Sequence, residues 1–237
     1  TVHPQATVHP RAAVHFVGGG PGAPDLLTLR AAEAIAAADV VIWGRDLLME
    51  ELVTRHARPG AEIVPWPPAT MADIHAVYDR AAADGLRVAR LYAGDATIFA
   101  RIHEELGDVA DRGLPVEIVP GVSAVGAAAA ALAWDLTGAR EEARALVLTT
   151  REGRVPDPAA TTAVFMAGRE PGELQQRLLV AGYAPDTACA IAHRVSWPDE
   201  ALVACPLSEL AERLEEQPRG MHTLVLVGSG DRRRRAA

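Results

Sequence analysis

Short apolar runs alternate with Ala- and Leu-rich stretches of helical spacing along almost the whole chain. Val14–Val17, Val40–Trp43, Glu62–Val64, Leu86–Tyr92 and Val116–Val119 predict strands. Between them, Thr28–Ala38, Met49–Ala57, Thr70 to about Gly85, and Ile98–Arg112 predict helices. Thr28 is placed to cap the first helix, and Thr70-Met71-Ala72-Asp73 has the form of a capping box. After Pro120-Gly121 a small-residue helix follows over Val122–Ala133. A second series then runs through strand Ala145–Thr149, loop Arg151–Pro158, strand Thr162–Met166 and helix Pro171–Ala181. Strand Ala188–His193, helix Leu207–Leu214 and strand Thr223–Val227 complete it. Such alternation predicts parallel βαβ units in an α/β fold. The expected division is an N-terminal α/β domain over 13–120 and a C-terminal one over 121–230. A disordered leader at 1–12, with Thr-Val-His-Pro twice, and a basic tail at 231–237 are expected to flank them.

Composition narrows the function. A hydrophobic content of 49% is ample for a core, and with aromatics at 4% it must be built from Ala, Val and Leu. A formal net charge of −8 argues against nucleic acid as a partner, because phosphate recognition needs a basic surface. Arg232–Arg235 is the local exception and reads as a solvated tail. No apolar run reaches a membrane span, so no membrane partner is expected. Cys189 and Cys205 lie in apolar stretches without C-x-x-C spacing, which fits reduced thiols in a cytoplasmic protein. His3 and His9 alone are too few for a metal site, and none is expected.

Candidate chemistry concentrates where strands end. The first loop, Gly18-Gly19-Gly20-Pro21-Gly22-Ala23-Pro24, only loosely matches a dinucleotide fingerprint, and Pro21 has no N–H for a phosphate. Gly94-Asp95 follows the fourth strand, and Pro120-Gly121-Val122-Ser123-Ala124 follows the fifth. Taken singly these read as a turn and a helix cap. Three such loops in one half point to a single pocket at strand carboxyl ends, and the absence of lysine rules out a Walker phosphate site.

In combination these motifs resemble the tetrapyrrole methyltransferases. The resemblance runs from about Ala13 to Gly228 through the glycine loop, Ala38-Asp39-Val40-Val41-Ile42, Gly94-Asp95-x-x-Ile98-Phe99 and Val119-Pro120-Gly121-Val122-Ser123. Three further segments are similar to the branch that methylates C-11 of precorrin-4, a corrin precursor of cobalamin synthesis. They are Leu136-Thr137, Thr150–Pro156, and His193-Arg194-Val195-Ser196-Trp197-Pro198-Asp199-Glu200, where the family pattern begins with Tyr. Departures fall at Trp43–Leu47, Ala96-Thr97, Phe99-Ala100, Ala124 and Gly138–Ala145.

The resemblance implies two α/β domains with a ligand cleft between them, S-adenosylmethionine as methyl donor, a tetrapyrrole-like acceptor and a homodimer. It implies donor contacts at Pro21, Gly94, Asp95, Ile98, Ser123, Ala124, Met166, Ala190 and Thr223. Without it, Met166 and Ala190 read as core strand. An acceptor with several carboxylates calls for arginines, and Arg45, Arg151, Arg154 and Arg194 stand in predicted strand-end loops. No catalytic triad is visible. Asp46, Asp95 and His193 are candidates for proton transfer. Two other readings are a same-fold enzyme with another acceptor and a silent donor-binding homologue. A nucleotide-dependent oxidoreductase would need an acidic residue closing the second strand, which instead ends Ile42-Trp43-Gly44.

Overall fold

Strands rich in Val, Ile and Ala, apolar on both faces, form the sheet of the first unit. In the computed structural model, which describes residues 13–137, 145–154, 158–218 and 220–228, these are β1 (Ala13–Gly18), β2 (Val40–Gly44), β3 (Glu62–Trp66), β4 (Arg87–Tyr92) and β5 (Val116–Val119). All pair in parallel in the order β3-β2-β4-β1-β5. The expected leader and basic tail lie outside the described residues, as do 138–144 and 155–157.

Four helices cover this sheet: α1 (Leu29–Ala37), α2 (Glu50–His56), α3 (Met71–Asp84) and α4 (Ile102–Asp111). Side chains alternate across each strand, so Val17, Val41 and Leu91 pack with Ile35 of α1 and Leu52 of α2. Val14, Phe16, Ile42 and Val88 pack on the other face with Ile74 and Tyr78 of α3 and Val109 of α4. Thr28 caps α1 by accepting from the Ala31 amide. The capping box at Thr70 and Asp73 is present, and α3 stops at Gly85 with φ +73°. The helix expected from Ile98 starts only at Ile102. Asp95 accepts from the Thr97 amide and hydroxyl, a local side-chain turn that competes with helix formation, and Phe99 and Arg101 have φ +55°.

Among the described residues of this unit, an ion pair between Arg90 and Glu105 is buried. Arg90 on β4, 3% exposed, donates through Nε and Nη2 to Glu105 of α4 at 3.2 and 3.3 Å. The Tyr78 hydroxyl donates to the same carboxylate at 2.8 Å. The guanidinium also lies over the rings of Trp66 and Tyr92, 5.2 and 5.0 Å from their centroids. Burial opposes the charge on Arg90, but Glu105, Tyr92 and Tyr78 together outweigh it and raise the arginine pKa. The network ties β4 to α3, α4 and the end of β3.

The chain divides into two units at Ser123/Ala124, against an expected boundary at 120/121. The second unit comprises α5 (Ala124–Leu132), β6 (Leu146–Thr150), β7 (Thr161–Phe165), α6 (Pro171–Val180), β8 (Ala188–His193), β9 (Ala201–Pro206), α7 (Leu210–Glu215) and β10 (Thr223–Val227). Its sheet, ordered β6-β7-β10-β8-β9, corrects the expectation of parallel units throughout. Only β6 and β7 pair in parallel; β10 runs antiparallel to β7 and β8, and β9 antiparallel to β8. Strand β9 was not expected at all. The link over 194–200 is too short for a parallel crossover of a dozen or more residues, so the next extended segment folds back as a hairpin. Ala163, Ala192, Leu224 and Leu226 pack on α5, while Ile191, Val225 and Val227 pack on α6 and α7. Cys189 and Cys205 face one another across β8 and β9 as buried thiols not joined in a disulfide, and burial pushes the Cys189 pKa up.

Removing one partner of the buried pair leaves an uncompensated charge, whereas replacing both with apolar groups does not. Glu105→Ala is therefore expected to lower unfolding free energy by about 3–5 kcal/mol. Arg90→Met with Glu105→Leu should cost clearly less. Urea denaturation of both variants checks this, and equal losses would contradict it.

Candidate functional site

Strands β4, β1 and β5 are neighbours, so the loops that leave their carboxyl ends meet. They meet by backbone contact. A Cβ placed on Gly18 would lie 2.6 Å from the Gly121 Cα and 2.8 Å from the Gly94 carbonyl oxygen. One on Gly121 would lie 2.2 Å from that same oxygen. Gly20 and Gly94, at φ +77° and +67°, exchange two hydrogen bonds of 3.1 and 2.7 Å. The Gly19 amide donates to the Tyr92 carbonyl at 2.7 Å.

Asp95 fastens the third loop. One carboxylate oxygen accepts from the Gly121 amide at 2.9 Å, the other from the Thr97 amide at 2.8 Å and from its hydroxyl. Burial acts to raise the Asp95 pKa, but these donors, the Thr97 hydroxyl foremost, outweigh it and hold the carboxyl below its usual range. An ionised acceptor with such partners is a clamp and a poor base.

The chemistry of this cradle is specific in what it lacks. The amides of Gly19, Gly20, Gly94 and Gly121 are all bonded within the protein, so these four are not offered to a diphosphate. Asp95 adds negative charge beside them. What remains at the rim is half-buried Pro21, Ile98, Ser123 and Ala124. Apolar contact, a hydroxyl and a carboxylate suit an adenosyl group carrying a positive sulfonium, so the residues fit S-adenosylmethionine.

In the second unit Met166, His193 and Thr223 come together, and Ala190 does not join them. Thr223, first in β10, pairs in register with His193, last in β8. Its hydroxyl lies 3.0 Å from His193 Nδ1, and its carbonyl accepts from the Ala167 amide at 2.9 Å. Met166, immediately before, is partly exposed and has φ +56°, a conformation that is uncommon for a non-glycine residue and costs energy. Ala190 is fully buried within β8, where it faces Leu226 and Ala204 in register. Its environment is core strand.

Comparison with known proteins matches residues 13–211 to the model of the Tetrapyrrole (Corrin/Porphyrin) Methylases. The chain belongs to this family. It is 34% identical over 229 residues to a precorrin-4 C(11)-methyltransferase of Sinorhizobium sp, covering 92% of this chain and 89% of that one. A cobalt-precorrin-4 C(11)-methyltransferase of Methanocaldococcus jannaschii is 32% identical, over 91% of this chain and 86% of its own. Among solved structures, a cobalt precorrin-4 methyltransferase superposes with TM-score 0.84 at 28% identity, covering 94% of this chain and 98% of that chain. Uroporphyrin-III C-methyltransferase from Thermus thermophilus, complexed with S-adenosyl homocysteine, gives 0.74 at 30% identity, with 91% and 97% covered. The chain is a methyltransferase.

The four arginines expected to hold an acceptor differ sharply in this methylase. Arg151 meets Glu152, Glu170 and Glu173 at 2.7, 2.5 and 3.2 Å, and its carbonyl accepts from Arg177. That set fixes the loop after β6 to α6, which makes Arg151 a structural tie. Arg194 donates from Nε to Asp199 at 2.7 Å and stacks 3.9 Å from the Trp197 ring centroid. Trp197 in turn meets His222 edge-on at 5.4 Å, and Glu200 accepts from the Ser196 amide. The most specific sequence motif thus closes the β8–β9 hairpin on itself. Arg45 and Arg154 are exposed, after β2 and β6. Asp46 is exposed beside Arg45, outside the glycine junction.

Thr97 and His222 were missed from sequence. The Asp95-x-Thr97 spacing of a side-chain turn was available for the first. No comparable signal marks His222. Gly121→Ala should destabilise the protein by about 3 kcal/mol or more through overpacking. Gly126→Ala, in α5 with open space at its Cβ, should be neutral or stabilising by about 0.5–1 kcal/mol. Thermal and urea unfolding of the two variants provide the comparison. A mild Gly121→Ala phenotype would contradict the backbone contact described.

Proposed function

We propose that this methylase transfers a methyl group from S-adenosylmethionine to C-11 of precorrin-4 in cobalamin biosynthesis. The observation that carries this reading is the 34% identity, spread over 92% of the chain, to a precorrin-4 C(11)-methyltransferase. The glycine cradle at the ends of β1, β4 and β5 supports the donor, with Pro21, Gly94, Asp95, Ile98 and Ser123 around it in the first unit and Ala124 next in the chain. Met166 and Thr223 are the donor contacts proposed in the second; Ala190 serves as packing behind them.

The donor supplies a methyl group already activated on its sulfonium. The chain's residues have to bind, orient and exclude water, and orientation of this kind can lower a barrier by several kcal/mol, on the order of 7–11 at best. Asp95 is held as a carboxylate by its donors, and the His193 Nδ1 faces Thr223, so neither is placed as a strong base. Exposed Arg45 and Arg154 are the side chains proposed to meet acceptor carboxylates. We propose further that the chain is cytoplasmic and forms a homodimer. Cys189 and Cys205, not joined in a disulfide, fit a reducing compartment, and exposed Ile118, Leu146 and Leu148 on edge strands β5 and β6 offer apolar surface for a second copy. Among the described residues no helix is long and apolar enough to cross a membrane.

Incubation with deuteromethyl-labelled donor and either precorrin-4 or uroporphyrinogen III separates the acceptors. A single labelled methyl at C-11 of the corrin precursor is expected by mass spectrometry and NMR; label on uroporphyrinogen III alone would overturn the assignment. Arg154→Glu should raise the acceptor KM about 10- to 100-fold, the loss of a charge-assisted hydrogen bond, without altering donor affinity. Equal loss of donor binding in calorimetry would remove Arg154 from the acceptor site.

A further inference from the structure

We infer that Cys189 and Cys205 are a site of reversible oxidation, where hydrogen peroxide joins β8 to the edge strand β9 through a disulfide. The two residues are direct partners in the antiparallel β8–β9 ladder. Such partners point to the same face of a sheet. Both thiols lie in the core that packs on α6 and α7, 1% and 5% exposed. The backbone hydrogen bonds fix their spacing. The Leu207 amide donates to the Thr187 carbonyl at 2.8 Å, and that pair stands two residues from the cysteines on each strand. Bonded and unbonded partners alternate along the ladder, so the cysteines form a bonded pair with Cα atoms about 5.5 Å apart. A disulfide spans Cα separations of roughly 4.4–6.8 Å, so the bridge is within reach of the strands as they stand. Burial raises the Cys189 pKa, and the Cys205 sulfur is close enough to add to that effect.

The same burial sets the order of events. A thiol attacks as its thiolate, and Cys189 is held in the protonated form. Cys205 is the less buried of the two and sits on β9, which has a neighbouring strand on one side only. Local opening of this edge therefore exposes Cys205 first. Its thiolate attacks one peroxide oxygen and the O–O bond breaks, leaving a sulfenic acid. The departing hydroxide takes up the proton lost by the thiol, giving one water. The Cys189 sulfur then attacks the sulfenic sulfur. The S–S bond forms, and hydroxide leaves with the Cys189 proton as a second water. Two thiols are oxidised and one peroxide is reduced. The bond closes 190–204 into a loop and fastens the strand that returns from the Arg194–Glu200 turn. Excess dithiol reverses it by exchange through a mixed disulfide.

The test treats the fully reduced, full-length chain with hydrogen peroxide, then alkylates and digests it with trypsin without reduction. Cleavage after Arg177, Arg194 and Arg213 places Cys189 in peptide 178–194 and Cys205 in peptide 195–213. The two peptides are expected joined, lighter than their sum by two hydrogens, from a chain that runs as a monomer on a non-reducing gel. The oxidised chain should melt about 5 °C or more above the same sample after dithiothreitol. Only this reversible difference counts, because methionine oxidation survives the reductant. Amide exchange over 201–206 should slow about tenfold or more on oxidation, since the edge strand can no longer detach. Cys189→Ala and Cys205→Ala should each show neither the linked peptides nor the reversible shift. Comparing each variant with itself removes the packing cost of the substitution. Two alkylated thiols after treatment, sulfinic acid without linkage, or a covalent dimer would overturn the inference. So would a linked chain whose melting point is unchanged or lower.

Discussion

The site depends on one close approach of backbone to backbone. Gly18, Gly94 and Gly121 touch where β1, β4 and β5 end, at distances no side chain would permit. The contact sets how near the three loops come, and Asp95 locks it with a bond across to the Gly121 amide. Further back, the Arg90–Glu105 pair and the rings of Trp66 and Tyr92 hold β4 in place. A buried ion pair gives little net stability, because desolvation of both charges offsets their attraction. Its consequence here is positional: β4 leads to Gly94, whose carbonyl oxygen meets both of the other glycines.

This arrangement changes the meaning of the glycines. A glycine-rich loop after a first strand ordinarily signals free amides for a phosphate. Here the amides of Gly19, Gly20, Gly94 and Gly121 already donate within the protein, those of Gly20 and Gly94 to each other's carbonyls, and the glycines serve packing. A positively charged, phosphate-free donor is therefore a better match than a dinucleotide. The same logic sorts the arginines. Arg151, facing three carboxylates, and Arg194, stacked and paired, hold loops in shape, while Arg45 and Arg154 remain exposed.

Much of this was legible in the sequence, and unevenly so. Strands of the first unit were clear because parallel strands buried on both faces read as continuous apolar runs, as Val40–Trp43 does. Thr28 and Thr70 announced their helices through cap chemistry. The second unit was harder. Ala201–Pro206 carries two alanines and a proline and resembles loop until the short link from His193 is taken as a hairpin. Ile98–Arg101 has helical composition, yet the Asp95–Thr97 turn wins locally. Ordered motifs identified the family, but single motifs could not separate roles: Ser196–Glu200, the most specific of them, folds back on Arg194. Partners distant in sequence, such as His193 with Thr223 or Arg90 with Glu105, leave no local trace.

The central claim is that the junction of the β1, β4 and β5 loops is the donor cradle. Hydrogen exchange with and without S-adenosylhomocysteine tests it most directly. Ligand should slow exchange in the peptides covering 18–24, 92–98 and 120–124 together, since the three loops form one contact. Protection confined to other segments, with these three unchanged in a protein that binds the ligand, would contradict it.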